Sequence, residues 1–148
     1  MDIHFTKMHG LGNDFIVLNN LDNEYRLNAQ QISLLGDRCF GIGFDQLLVL
    51  ESAAEADIDF SYRIFNTDGR EVEHCGNGAR CFAKYVTDKG LTDKNSIVVK
   101  TVNRLLTLTI DDNGQVRVDM EAPVFEPSEI PFVSSSDAVV HSRQLIVS

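Results

Sequence analysis

The clearest pattern along the chain is an alternation of apolar and polar side chains over Ile58–Ile64, where the even-numbered positions are apolar. A period of two predicts a β-strand with one buried face. Shorter runs of the same kind predict further strands at Ile3–Met8, Phe15–Leu18, Gln46–Leu50, Ile97–Val102, Leu105–Ile110 and Val116–Met120. Two of the strands are followed by the dipeptides Asp68-Gly69 and Asn113-Gly114. Both dipeptides favour hairpin turns, because Asp, Asn and Gly tolerate positive φ angles.

Two segments are predicted to be helical. The first begins after Asn28 and runs through Asp37, with Asn28 and Gln31 spaced as the partners of a capping box. The second runs from about Asn77 to Lys89, and its apolar residues cover most of the helix circumference. A helix that is apolar nearly all round should be buried nearly all round. We therefore expect an α+β fold, in which a mixed or antiparallel β-sheet is rolled around one central helix.

Length and charge narrow the class of protein. The 148 residues suffice for one ordinary domain. The 13 basic and 22 acidic side chains give a net charge of −9, which argues against nucleic acid or an anionic membrane surface as partner, since both need clustered Lys and Arg. No apolar run approaches the ~20 residues that span a bilayer, and the N-terminus shows no signal-peptide pattern. With an odd number of cysteines, three, these features favour free thiols in a reducing cytoplasm.

The segment with the most distinctive chemistry is Cys75-Gly76-Asn77-Gly78, a glycine-rich turn at the start of the second helix. Unpaired N–H groups of a first helical turn can bind a carboxylate, and the positive end of the helix dipole favours the thiolate form of Cys75. A thiolate beside a carboxylate-binding turn is suited to removing the α-proton of an amino acid. The alternative is a plain glycine-rich connection that holds a buried, unreactive cysteine.

The other two cysteines are interpreted as small packed hydrophobic side chains. Cys81 lies inside the apolar helix, and Cys39 follows closely after the first helix. The sequence contains no Cys-x-x-Cys or His-x-x-x-His spacing. We therefore do not expect a zinc site.

Three uncharged amide side chains stand at the ends of predicted strands: Asn13, Gln46 and Asn66. Each could present its amide to the polar end of a substrate. Taken alone, Asn13 has a simpler interpretation, as a turn asparagine that bonds its own backbone. The preceding Gly10-x-Gly12 lacks the third glycine and the following helix of a dinucleotide-binding loop.

Four segments taken together resemble the diaminopimelate epimerases, and they occur in the family's order: Lys7–Phe15, Gly41–Gln46, Phe65–Gly69 and Cys75–Arg80. The resemblance implies an enzyme that interconverts LL- and meso-diaminopimelate without cofactor or metal, in the lysine and cell-wall precursor pathway. It also implies a fold of two similar halves, each a mixed sheet rolled around a helix. The active site lies between the halves, and each half contributes one catalytic cysteine.

The resemblance also implies roles for individual residues. Cys75 matches the catalytic cysteine of the first half. The backbone groups that hold the reacting carboxylate match Gly76 and Asn77, and the side chains that contact the substrate match Asn13, Gln46 and Asn66. The expected partners are diaminopimelate, the second half-domain of the same enzyme, and a second copy of the chain in a homodimer.

On this basis residues 1–123 are an N-terminal half-domain, and residues 124–148 are a crossover segment and the start of a second half-domain, with a strand-like run at Leu145–Val147. The second catalytic cysteine of the family has no match, so we expect this chain alone to be inactive. Two alternatives stay open. One is another isomerase of the same fold, of the proline racemase or phenazine-biosynthesis type. The other is a half-domain that binds an amino acid or a partner chain without catalysis.

Overall fold

The computed structural model describes residues 2–73, 75–120, 122–126 and 129–130. These residues form eight strands and two α-helices: β1 (Phe5–Gly10), β2 (Asn13–Asn19), α1 (Ala29–Gly36), β3 (Gln46–Glu51), β4 (Phe60–Asn66), β5 (Glu71–Val72), α2 (Gly76–Asp88), β6 (Ser96–Lys100), β7 (Leu105–Ile110) and β8 (Val116–Val118). The predicted strand at Leu145–Val147 and most of the predicted crossover segment lie outside the described residues.

The described strands form one mixed sheet in the order β1-β2-β3-β4-β6-β7-β8, and the short β5 pairs with one end of β4. The neighbours β2 and β3 are parallel, as are β4 and β6, and the remaining pairs are antiparallel. Helix α2 contacts both edge strands, β1 and β8, as well as β2 and β7. The sheet therefore curls around α2, and the predicted α+β fold is confirmed.

Strands β2 and β3 are buried on both faces of the sheet. Phe15 and Val17 belong to the core around α2, whereas Ile16 and Leu18 pack with Ile32 of α1 on the opposite face. Burial on both sides explains why these two strands are continuous apolar runs in the sequence, so the period-two alternation predicted for Phe15–Leu18 and Gln46–Leu50 was wrong. The sheet thus separates two cores, and the larger one surrounds α2.

Strand β4 has the one-sided burial that its alternating sequence predicts. Phe60, Tyr62 and Ile64 are buried in the core around α2. The ring of Tyr62 stacks on Phe82 of α2, with the ring centroids 4.5 Å apart. The Oη of Tyr62 is buried and has no hydrogen-bond partner among the described residues. Burial, with a smaller contribution from Cys75, raises the pKa of this phenol well above its usual value.

Both helices begin where the sequence predicts. At α1, the side chain of Asn28 accepts a hydrogen bond from the backbone N–H of Gln31, and the side chain of Gln31 accepts one from the backbone N–H of Asn28, both at 2.9 Å. The expected burial of α2 nearly all round is confirmed except along one narrow exposed stripe, formed by Arg80, Lys84, Thr87 and Asp88.

The two flanking cysteines have different environments. Cys81 is buried in α2, as predicted, and burial followed by the proximity of Cys75 raises the pKa of its thiol to about 11. The prediction that Cys39 packs inside the protein was wrong, because its side chain is exposed. The carboxylate of Asp37 accepts the backbone N–H groups of Cys39 and Phe40, both at 2.7 Å, and this turn directs the loop after α1 outwards.

Candidate active site

Cys75 is the N-cap residue of α2. Its Sγ accepts a hydrogen bond from the backbone N–H of Gly78 at 3.4 Å, which is how an N-cap side chain satisfies a free donor of the first turn. The same thiol donates to Oδ1 of Asn13, 3.6 Å away. The sulfur is half-buried between the helix and the start of β2. The structure therefore brings two of the predicted site residues, Cys75 and Asn13, into direct contact.

The first two residues of α2, Gly76 and Asn77, carry N–H groups that have no acceptor within the helix, because helical hydrogen bonding begins further along. Strand β1 approaches this turn closely. A Cβ built at Gly10 would lie 3.3 Å from the Cβ of Asn77, so only glycine leaves the present spacing unchanged. The Sδ of Met120 lies 3.9 Å from the position that a Cβ would take at Gly76. Strand β1 thus lies directly against the first turn of α2, and the Met120 side chain is nearby.

The three predicted amides lie at one end of the sheet. Asn13 begins β2 and Gln46 begins the parallel strand β3, while Asn66 ends the antiparallel strand β4 directly opposite Gln46. The Nε2 of Gln46 donates to Oδ1 of Asn66 at 3.0 Å. The Oε1 of Gln46 is buried and has no hydrogen-bond partner in the described part of the chain. This end of the sheet therefore presents an acceptor that lacks a donor.

Four charged residues lie beside these amides, and the sequence analysis did not predict them as part of the site. We call them the charged cluster: Lys7, Asp14, Arg38 and Asp45. The guanidinium of Arg38 bonds both carboxylates, with Nη2 2.8 Å from Oδ1 of Asp14 and 2.8 Å from Oδ1 of Asp45. The ammonium of Lys7 lies 2.8 Å from Oδ2 of Asp14. Hydrogen bonding to Arg38 and then to Lys7 holds the pKa of Asp14 well below its usual range, against the opposing effect of burial.

The sequence contained one usable signal for this cluster. Asp14 and Asp45 each directly adjoin a predicted site amide, Asn13 and Gln46 respectively. A carboxylate next to a substrate-binding amide is a candidate for positioning it. Arg38 gave no local signal, because it lies in the loop after α1 and meets its partners only in the folded chain.

The described residues contain no group of three or more His, Cys, Asp and Glu side chains placed to hold a metal ion. Among the helices of the described segments, none is long and apolar enough to cross a membrane. Besides the charged cluster, this end of the sheet offers one thiol, the N–H groups of the first turn of α2 and three neutral amides.

Comparison with solved structures identifies the class of fold. A methylitaconate-delta-isomerase aligns with a TM-score of 0.61 and 15% identity, over 88% of this chain and 68% of that protein. A hydroxyproline epimerase from Agrobacterium vitis aligns with a TM-score of 0.60 and 12% identity, over 77% of this chain and 40% of that protein. The fold is one shared by isomerases and epimerases, as the resemblance in the sequence predicts.

Sequence comparison then gives the family. The model of the diaminopimelate epimerase family matches residues 5–126. A diaminopimelate epimerase from Ralstonia pickettii is 56% identical over 133 residues, which cover 90% of this chain and 46% of the relative. The chain belongs to the diaminopimelate epimerase family, and it spans about half the length of the relatives it matches.

Proposed function

We propose that this chain supplies one half of the active site of a diaminopimelate epimerase, with Cys75 acting on one face of the substrate's α-carbon. The observation that supports this most directly is the double contact of the sulfur. The N–H of Gly78 can stabilise a thiolate, and Oδ1 of Asn13 can accept the proton of a thiol. A group that removes a proton in one direction and returns one in the other must be stable in both forms.

The free N–H groups of Gly76 and Asn77 are the proposed donors to the reacting carboxylate. They lie at the positive end of the α2 dipole, next to Cys75, where an anion is stabilised. A carboxylate bound there would place the adjoining α-carbon near the sulfur. Because the chain has a net charge of −9, these local donors rather than the overall field must attract a dicarboxylate.

The amides Asn13, Gln46 and Asn66 are proposed to contact the rest of the substrate. The buried Oε1 of Gln46 lacks a donor in the described part of the chain, and an unsatisfied buried acceptor costs about 1–3 kcal/mol. An amino-acid ammonium group is a donor of the kind that would satisfy it. Asn66 holds the Gln46 amide in this orientation through its 3.0 Å hydrogen bond.

Inversion at the α-carbon also requires an acid on the opposite face. Cys81 is unsuitable, because its thiol is buried in α2 and its pKa is about 11. We therefore propose that residues 1–123 form the first half-domain, that residues 124–148 lead into a second one, and that the second half supplies the opposing group. The complete enzyme is proposed to be a cytoplasmic homodimer that works without metal or cofactor.

The test uses two proteins: this chain alone, and this chain fused to the remaining half of the Ralstonia pickettii relative. Each is incubated with LL-diaminopimelate in D₂O, and deuterium at the α-carbon and the isomer ratio are followed. We expect turnover in the fusion, loss of at least 10³-fold on Cys75→Ala, and unchanged turnover in the matched control Cys39→Ala, which alters an exposed thiol. L-Proline serves as the competing substrate for the related racemase activity.

Four outcomes would contradict the proposal. The first is a folded fusion that exchanges no deuterium into diaminopimelate. The second is exchange that survives Cys75→Ala. The third is a preference for proline, which would favour the racemase alternative. Turnover by this chain alone at an ordinary enzymatic rate, about 1–10³ s⁻¹, would show that the second half-domain is not needed.

A further inference from the structure

We propose that Asp45 is a positioning residue for Cys75: its carboxylate fixes the side-chain amide of Asn13 so that the amide oxygen, and not the amide nitrogen, faces the thiol. The importance of this for catalysis rests on the proposed function, whereas the effect on Cys75 itself does not. Asp45 is bonded to Asn13 and Asn13 is bonded to the sulfur, so the hydrogen bonding that links Asp45 to Cys75 passes through the Asn13 amide.

The orientation of the Asn13 amide follows from which groups can donate. Nδ2 of Asn13 donates to Oδ2 of Asp45 at 2.9 Å, and Oδ1 of Asn13 is then left 3.6 Å from Sγ of Cys75. A carboxylate accepts hydrogen bonds but cannot donate them. Rotating the amide by 180° would set its oxygen against the Asp45 carboxylate and break this bond. Only one of the two amide orientations is therefore compatible with Asp45.

Asp45 is itself held at both carboxylate oxygens. Oδ2 also accepts the backbone N–H of Asp14 at 3.0 Å, and Oδ1 accepts Nη2 of Arg38 at 2.8 Å. The arrangement is reciprocal, because the backbone N–H of Asp45 donates to Oδ1 of Asp14 at 3.0 Å. Arg38 bonds the two carboxylates together. The acceptor that orients Asn13 therefore has little freedom to move.

The orientation of the amide determines which form of Cys75 it stabilises. An amide oxygen next to the sulfur accepts the S–H proton and favours the thiol, while an amide N–H would donate to the sulfur and favour the thiolate. With Asp45 present, the N–H of Gly78 is the donor that supports the thiolate, and Asn13 opposes it. Without Asp45, the Asn13 amide is free to turn and become a second donor to the sulfur.

The test measures how the alkylation of Cys75 by iodoacetamide depends on pH, by mass mapping on the intact 148-residue chain. We expect Asp45→Ala to move the midpoint of the Cys75 profile to lower pH by about one unit, the size of one ordinary hydrogen-bond effect on a thiolate. The matched control is Glu71→Ala, which removes a two-point ion pair with Arg63 at 2.9 and 2.8 Å but does not contact Asn13. It should leave the midpoint unchanged.

Removing the negative charge of Asp45 also stabilises the Cys75 thiolate directly, through reduced charge repulsion. The decisive comparison therefore uses a chain in which Asn13 has been replaced, so that only this direct charge effect remains. In the Asn13→Ala background, Asp45→Ala should shift the midpoint by much less than in the parent chain, because the amide that transmits the effect is absent. An equal shift in both backgrounds would overturn the proposal, since the effect would then be purely one of charge. No shift in the parent chain would overturn it as well.

A second measurement uses NMR of the folded chain. The side-chain ¹⁵N signal of Asn13 should differ between the parent chain and Asp45→Ala and should be the same in the parent chain and Glu71→Ala. An Asn13 signal that does not respond to Asp45→Ala would contradict the hydrogen bond. Neither measurement involves substrate. Failure of the fusion to epimerise diaminopimelate would therefore leave these results intact, and failure of these results would leave the epimerase proposal intact.

Discussion

Brief treatment of the folded chain with iodoacetamide should label the three cysteines at very different rates, with Cys75 first and Cys81 last. The thiolate is the reacting form, so a thiol that is held protonated reacts slowly. Burial raises the pKa of Cys81 to about 11. At pH 7.5 roughly a tenth of an ordinary thiol is thiolate, against about 3 in 10⁴ for a pKa of 11, so Cys81 has about 300-fold less thiolate than an ordinary thiol.

Access adds to this difference, because Cys81 is buried whereas Cys39 is exposed. Cys75 should react faster than Cys39, since it alone lies at a helix N-terminus and accepts the N–H of Gly78. The assay is a short pulse at pH 7.5, a quench, and mass mapping of the three peptides, with a parallel sample in denaturant in which all three should react alike. Equal labelling in the folded chain, or labelling of Cys75 that lags behind Cys39, would refute this reasoning.

Three further predictions concern stability and are checked by urea unfolding. Asp14→Asn should lower the free energy of unfolding by about 1–2 kcal/mol at pH 7. Because the pKa of Asp14 is depressed in the folded state, its stabilising contribution is present above the unfolded-state pKa of about 4 and declines as the pH falls below that value. The difference in unfolding free energy between variant and parent should therefore be smaller at pH 3. Tyr62→Phe removes a buried hydroxyl that has no hydrogen-bond partner among the described residues, so it should leave the free energy of unfolding unchanged or raise it by about 1 kcal/mol. A clear decrease in the free energy of unfolding would show that Oη is hydrogen-bonded. Gly41→Ala should cost about 2–4 kcal/mol, because a Cβ there would overlap the carbonyl oxygens at the end of α1. Its control, Gly114→Ala, has open space and should cost only the ~1–2 kcal/mol of a positive φ angle.

The strands were predictable where the signal was local. The alternation at Ile58–Ile64 predicted β4, and Asp68-Gly69 and Asn113-Gly114 predicted the turns that join β4 to β5 and β7 to β8. β5 itself, at Glu71–Val72, was missed because two residues cannot show a period of two. The parallel pairing of β2 with β3, and of β4 with β6, was also not predicted, because no turn sequence records a pairing across a long connection.

The candidate site was predictable residue by residue but not as an arrangement. Glycines and the thiol marked the start of α2, yet the contact between Cys75 and Asn13 joins positions 62 residues apart. The same holds for Arg38, whose role depends on two carboxylates that only the folded sheet brings together. Cys39 was misplaced for a related reason: residue type favours burial, but the turn that Asp37 makes decides where the loop goes.

The contacts of α2 with both edge strands have a consequence for cooperativity. β1 opens the sheet and β8 closes it, and the helix lies against each of them. Neither edge strand can open without exposing one side of α2. The backbone amide protons of α2 should therefore exchange with solvent through global unfolding rather than through local opening. The position of the Cys75 thiol, at the first turn of this helix, is therefore maintained by the stability of the whole domain and not by local contacts alone.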